Sequence, residues 1–362
     1  MTKATHKLHE SGQSLWLDNI TRGLLTSGRL ESYIRDLSVT GLTSNPTIFD
    51  HAVKNSPDYD DAIARKLEEG KSGEALFFEL ALEDLTRAAD LFRPIYDRTN
   101  GVDGWISLEV SPALAHDSVR TLAAAKELHG RAKRPNLFIK IPGTEEGLAA
   151  IEEAIFDGVP INVTLLFSRA QYLAAADAYM RGIERRIAAG LNPAVGSVAS
   201  MFISRWDVAV KDKVPASLRD TLGIAVAGQT YKAYRTLTES PRHERLLNEG
   251  ARRQRLLWAS TGTKDREASD TLYIQALAAP CTINTMPEAT LHAFAEHGEV
   301  GHAHPELGKH CDAVVHSFST AGIEPDLLAA QLQTEGAQGF SKSWNELMAC
   351  IASKSVKVRK AR

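Results

Sequence analysis

Two rhythms of apolar and polar residues alternate along this chain. Short runs rich in branched and aromatic side chains read as strands: "SLWLD" (14–18), "VTGLTS" (39–44), "WISLEV" (105–110) and "LFIKI" (137–141) in the first half. "INVTLLF" (161–167), "AVGSVAS" (194–200), "LLWAST" (256–261) and "CTINTM" (281–286) follow in the second. Between them lie segments of helical periodicity, such as "GRLESYIRDL", "EEGLAAIEEAIFDG" and "SRAQYLAAADAYMRGIERRIAAG". In the last of these Ala170, Leu173, Ala174, Ile183 and Ile187 fall at helical spacing, Ser168 is the expected N-cap and Gly190 the expected stop. Strands alternating with helices imply a parallel sheet, and eight such units predict a closed (β/α)8 TIM barrel of the α/β class. An open doubly wound sheet is disfavoured because no GxGxxG or GxxxxGK[ST] follows the first strand. The connections 46–104 and 201–255 are long enough for more than one helix each. No Pro/Gly/Ser-rich linker interrupts the chain, so residues 1–362 are expected to form one domain. A C-terminal helix at about 338–354, with apolar Phe340, Trp344, Leu347 and Ile351, is expected to pack on the barrel, and the basic end "SKSVKVRKAR" to fray.

One position breaks the apolar pattern. Lys140 stands in "NLFIKIPG", flanked by Ile139 and Ile141. Side chains alternate along a strand, so if Leu137, Ile139 and Ile141 pack outward, then Phe138, Lys140 and Pro142 face the barrel axis. Lys140 then lies near the C-terminal end of its strand, where barrels of this kind hold their chemistry. An ordinary lysine, with a pKa of about 10.4, is neutral in roughly one molecule in 2,500 at pH 7. Enclosure in a low-dielectric site disfavours the ammonium, which turns a lysine into a nucleophile toward carbonyls. The plainer reading is a structural ion pair with an inward carboxylate. Its companions weigh against that reading: Asp18, Asn45, Glu109, Asn162 and Thr164 all sit in or just after apolar strands. Asp18 and Asn45 could each be a cap or turn residue alone, but buried polar groups need partners, and five of them suggest one converging cluster.

The bulk numbers narrow the partners. A net charge of −3 over 362 residues gives no broad attraction to nucleic acid or to an anionic membrane. The basic stretches "KVPASLRDTLG" and "ESPRHERLLNEGARRQR" are interrupted by acidic residues and carry no interleaved aromatics, so they read as solvated helix faces. No apolar run is long enough to span a bilayer, and the first residues lack the apolar core of a signal peptide. A soluble cytoplasmic protein is expected. Cys281, Cys311 and Cys350 are odd in number and widely spaced, which suits reduced core thiols. His302, His304, His310 and His316 lie close together, yet no suitably spaced carboxylate or cysteine completes a metal set, so a solvated loop and helix is expected there.

The segments "LWLDNI", "GLTSNPTIF", "SLEVSP", "NLFIKIPGTEEGLAAIE", "INVTLLFS" and "CTINTMPEATLHAFAEHG" resemble, in order, the signature segments of the transaldolase family, from about residue 14 to 300. The resemblance implies a (β/α)8 barrel with neither metal nor organic cofactor. It implies transfer of a dihydroxyacetone unit from fructose 6-phosphate or sedoheptulose 7-phosphate to glyceraldehyde 3-phosphate or erythrose 4-phosphate, in the non-oxidative pentose phosphate pathway. It makes Lys140 the Schiff-base former and Glu109 the acid/base on the carbinolamine, through a water held by Thr164. Asp18 would take the proton of the C4 hydroxyl, while Asn45 and Asn162 orient hydroxyls and the lysine nitrogen. "SMFISRW" matches a Ser-x-Phe-x-x-Arg segment, which implies that Ser200 and Phe202 bind the sugar and Arg205 the phosphate. Where many family members carry a second arginine this chain reads "WASTGTKD", leaving Ser260 and Lys264 as replacements. Two rivals stand beside this expectation: a lysine-dependent class I aldolase that releases dihydroxyacetone, and a non-catalytic phosphosugar-binding barrel. The sequence leaves monomer and homodimer equally open.

Overall fold

The computed structural model describes residues 3–300 and 307–361. Eight strands pair in parallel in chain order and close on themselves: β1 (Ser14–Asp18), β2 (Val39–Thr43), β3 (Ile106–Glu109), β4 (Leu137–Pro142), β5 (Ile161–Leu166), β6 (Ser197–Phe202), β7 (Gln254–Ala259) and β8 (Thr282–Met286). Helices fill the connections, and the result is the expected (β/α)8 barrel. Both long connections hold several helices, Pro46–Asn55, Asp60–Glu68 and Gly73–Arg98 in the first, Ser204–Val210, Leu222–Thr238 and Pro241–Asn248 in the second. Two strands are displaced from their expected positions. A tight turn, with Ala194 N on Asn192 Oδ1 and Val195 N on Pro193 O, delays β6 to Ser197. β7 ends at Ala259 because Ser260 turns into the left-handed region at φ 55°.

The end of β4 shows how local sequence aims the central lysine. Pro142 and Gly143 stop the strand, and Gly143 N donates to Thr164 O of β5 at 2.8 Å. Thr144 then caps helix Glu145–Phe156 by accepting from Gly147 N at 3.1 Å. Gly147 is required by space: a Cβ there would stand 2.0 Å from Pro142 O. The strand is thereby held rigidly up to its last residue.

Helix Arg169–Ala188 starts in a capping box between Ser168 and Gln171 and ends just before Gly190, as expected. Its buried face differs from the expected one. Tyr172, Ala175, Ala176, Tyr179 and Ile183 face the barrel, while Ala170 and Leu173 are exposed. Alanines mark a face weakly. The two tyrosines carry the burial, with Tyr179 Oη donating to Val195 O at 3.1 Å.

The C-terminal helix runs over Pro325–Ala361, longer at both ends than 338–354. The basic stretch expected to fray is helical as far as Ala361, with Lys354 Nζ bonded to Ser56 O and, at 2.8 Å, to Asp60 Oδ1. Phe340, Trp344, Leu347 and Ile351 are buried as expected, with Trp344 edge-on to Phe77 at 5.1 Å. Gly336 and Gly339 weaken the helical signal ahead of this stretch. Gly336 has a packing reason, since a Cβ there would lie 2.9 Å from Leu165 Cδ2 of the barrel rim.

Three further expectations meet the structure. Cys311 is buried and Cys350 partly so, but Cys281 is exposed just before β8, so it is not a core thiol. His310 and His316 are exposed at and on helix Cys311–Thr320, whereas His302 and His304 lie outside the described residues. Among the described residues no helix is long and apolar enough to cross a membrane.

One buried carboxylate ties the later helices together. Asp207, in helix Ser204–Val210, accepts from Leu222 N at 2.9 Å and from Tyr273 Oη at 2.8 Å. Burial raises its pKa to about 6, against 3.8 for an ordinary aspartate. The folded state therefore favours the protonated form, and ionising Asp207 costs stability progressively as pH rises from about 4 to about 6, by up to about 3 kcal/mol. Asp207→Asn removes that titration while keeping an acceptor. Its melting temperature relative to wild type is expected to climb over that pH window and then level off. A difference independent of pH would contradict the assignment.

Candidate active site

Register brings the key groups to one level. Across β3, β4 and β5, Glu109 pairs with Lys140 and Lys140 with Asn162; one step on, Pro142 pairs with Thr164. Asp18 and Thr43 are likewise opposite each other on β1 and β2. Asp18, Thr43 and Glu109 are the last residues of their strands and Lys140 and Thr164 stand fourth of six in theirs, near the C-terminal mouth, whereas Asn162 is second in β5 and lies deeper.

Lys140 is only 5% exposed. Its Nζ stands 3.2 Å from Glu109 Oε2 and donates to Ser44 O at 3.0 Å. Burial raises the pKa of Glu109; the ammonium of Lys140 opposes this and the nearby Asp18 adds to it. The pKa of Asp18 is also raised by burial, against the pull of Lys140, of the Thr43 hydroxyl at 2.7 Å and of Lys264. A carboxylate that holds protons more tightly than usual thus stands 3.2 Å from the Lys140 nitrogen. Glu109 Oε1 and Thr164 Oγ1 are buried with no hydrogen-bond partner among the described residues. Unsatisfied buried polar atoms are costly, so both are available to a substrate hydroxyl or a water.

The remaining groups frame the opening. Asn162 Nδ2 donates to Ser107 Oγ at 3.1 Å, and Asn162 Oδ1 accepts from Ser200 Oγ at 2.7 Å. Asn45 Oδ1 caps helix Pro46–Asn55 by accepting from Ile48 N at 3.0 Å, which fixes the residue at the cavity wall. Asn45 is thus a helix cap that also lines the cavity. Leu165, beside Thr164, is held at φ 59°, a conformation that costs a non-glycine residue about 1 to 2 kcal/mol. Its carbonyl is turned toward the C-terminal helix, where Gln333 Nε2 meets it at 3.0 Å.

A cavity of about 310 Å³ opens above Lys140, lined by Asp18, Asn45, Thr164, Ser200, Phe202, Arg205, Ser260 and Lys264 among others. Arg205 lies 5.2 Å from the ring centre of Phe202 and 5.9 Å from that of Phe340. Burial lowers its pKa, with Glu335 opposing. No hydrogen bond or ion pair within 4.0 Å holds its guanidinium among the described residues. A guanidinium held between rings and free of partners suits an incoming phosphate. Ser260 Oγ is 2.9 Å from Ser204 Oγ, and Lys264 is exposed at the cavity edge.

Thus all eleven candidate residues come together, nine lining the cavity and Glu109 and Asn162 just beneath it. Sequence reasoning missed Ser44, Ser107, Thr43, Thr285 and the position of Phe340. Thr43 and Thr285 bond each other at 2.6 Å beneath Asp18, and hydroxyls at the ends of "VTGLTS" and "CTINTM" were the available signal. Ser44 acts through its carbonyl, which no residue type announces.

Fold and cavity together define a (β/α)8 barrel with a lysine–carboxylate centre and an arginine beside two aromatic rings at its C-terminal mouth. The sequence pattern described as Transaldolase/Fructose-6-phosphate aldolase matches residues 15–351, and the chain belongs to that family. It is similar to the protein named Transaldolase of Saccharopolyspora erythraea, 44% identical over 352 residues and 95% of each chain. The Transaldolase of Frankia alni is 41% identical over 367 residues and 97% of each chain. That of Thermobifida fusca is 42% identical over 366 residues, 97% of this chain and 98% of its own.

Proposed function

We propose that Lys140 captures a ketose phosphate as an imine and that the surrounding carboxylates move the protons of a transaldolase reaction. The chain is an enzyme of the transferase type, a transaldolase by family. In the reading proposed, the neutral amine of Lys140 adds to the C2 carbonyl of fructose 6-phosphate or sedoheptulose 7-phosphate. Glu109, through a water held by Thr164, protonates the departing C2 hydroxyl, which leaves as water and gives the iminium. Asp18 takes the proton of the C4 hydroxyl. The C3–C4 bond breaks, its electrons pass to the iminium nitrogen, and an aldose phosphate departs. The enamine left on Lys140 then attacks the aldehyde of glyceraldehyde 3-phosphate or erythrose 4-phosphate, and the steps run in reverse. Asn45, Asn162 and Ser200 orient the hydroxyls of the three-carbon unit. Phe202 walls the chain, and Arg205, with Ser260 and Lys264 beyond it, takes the phosphate. The same reading treats the chain as one barrel domain. We place the activity in the cytoplasm, where phosphorylated sugars, costly to move through a bilayer, are retained.

The observation that carries this reading is the 3.2 Å contact of Lys140 with Glu109, buried beneath a cavity whose wall holds an arginine with no hydrogen bond or ion pair among the described residues. Acceptor dependence tests it. With fructose 6-phosphate alone the enzyme is expected to release almost no free dihydroxyacetone, and erythrose 4-phosphate is expected to start steady production of sedoheptulose 7-phosphate. Equal turnover without acceptor would make it an aldolase instead. No turnover in either case would leave a binding barrel.

A further inference from the structure

The C-terminal helix does more than pack on the side of the barrel. It crosses the mouth. Gln333 Nε2 reaches down to Gly143 O and Leu165 O, both at 3.0 Å, and so pins the helix to the ends of β4 and β5. Thr47 Oγ1, in the helix that follows β2, donates to Ser343 Oγ at 2.8 Å further along. Between these two anchors the helix lowers Phe340 into the cavity. The ring is 7% exposed, its centre 5.9 Å from Lys140 Nζ and 6.4 Å from the ring of Phe202.

The geometry points to Phe340 as the cover that shields the three-carbon unit on Lys140 from solvent, and so sets how often it is transferred rather than released. The inference rests on the reading of Lys140 as the imine-forming amine. After C3–C4 cleavage the unit is an enamine with an electron-rich C3. It has two fates. In transfer, C3 bonds to the carbon of an aldehyde. In release, C3 instead takes a proton, water then adds to C2 of the resulting iminium, and the carbinolamine collapses to free dihydroxyacetone and the Lys140 amine. No oxidant or reductant is needed in either branch. The branches differ in what must reach C3 first, a bound aldehyde or a proton from water. A phenyl ring has no proton to give and occupies space that water would otherwise hold.

The experiment is a partition ratio. Phe340→Ala, Phe340→Leu and Gln333→Ala are each given saturating fructose 6-phosphate with a fixed concentration of erythrose 4-phosphate. Free dihydroxyacetone is then measured against sedoheptulose 7-phosphate. Relative to wild type, the release-to-transfer ratio is expected to rise about tenfold in Phe340→Ala, the effect of a 1.4 kcal/mol change in relative barrier. Phe340→Leu, still apolar and bulky, should stay within about threefold of wild type. Gln333→Ala, which loosens the anchor but keeps the ring, should move the ratio the same way by less. A folded Phe340→Ala variant that transfers at an unchanged ratio overturns the inference. Should that variant fail to fold, an unchanged ratio in Gln333→Ala overturns it equally. Absence of any transfer by the wild-type enzyme would instead bring down the reading of Lys140, and this inference with it.

Discussion

Lys140→Met is expected to lower turnover with fructose 6-phosphate and erythrose 4-phosphate by at least about 10⁴-fold, because the nucleophile itself is gone. Methionine keeps the length and apolar stem of lysine, so the cavity walls stay in place. The stability change separates the catalytic reading from a purely structural ion pair. Removing one partner of a buried pair usually costs about 3 to 5 kcal/mol, because the other charge is left uncompensated. Here burial raises the pKa of Glu109, so once Lys140 is gone it can neutralise by taking up a proton. The variant is therefore expected to lose less stability than that, and to lose it mainly at high pH, where protonating Glu109 becomes unfavourable. A variant that melts like wild type and still turns over within tenfold would contradict the role of Lys140.

Glu109→Gln carries the second large effect, an expected loss of about 10² to 10⁴-fold in kcat, the usual contribution of a positioned acid/base. Glutamine preserves the shape and an acceptor for Lys140 Nζ at the 3.2 Å contact, but it cannot exchange a proton. The pH profile gives the sign. Burial raises Glu109 above the ordinary glutamate value of 4.5 and Asp18 above the ordinary aspartate value of 3.8. As pH falls through these raised values both carboxylates take up protons. Glu109 can then no longer accept the proton of Lys140, and activity falls. The acid limb of kcat/KM in wild type should thus lie above the ordinary carboxylate range and belong to the coupled set. In Glu109→Gln only the contribution of Asp18 remains, so the limb should become shallower. An unchanged profile would assign the proton transfers to other groups.

Much of this centre was legible because strand periodicity is rigid. Alternation put Lys140 on the inner face, and parallel register sets Glu109 and Asn162 beside it. What stayed illegible depends on packing or on backbone atoms. The carbonyl of Ser44 holds Lys140, yet any residue offers a carbonyl. The buried face of helix Arg169–Ala188 was misplaced because alanines, abundant on both faces, outvoted two tyrosines. Phe340 sits on a helix that Gly336 lets approach Leu165 more closely than any Cβ would allow, and no periodicity encodes that closeness. Conversely, the residues that the Ser-x-Phe-x-x-Arg segment singled out do share one space. Ser200, Phe202 and Arg205 stand at the end of β6 and the start of the next helix, where the turn orients all three toward one space.

The most direct test of the central claim is reductive trapping. The enzyme is treated with borohydride in the presence of fructose 6-phosphate, digested, and its peptides are weighed. The account predicts one stable three-carbon adduct, on the peptide containing Lys140, and none in Lys140→Met. An adduct on another lysine, or an unmodified wild-type protein that is nonetheless active, would contradict it.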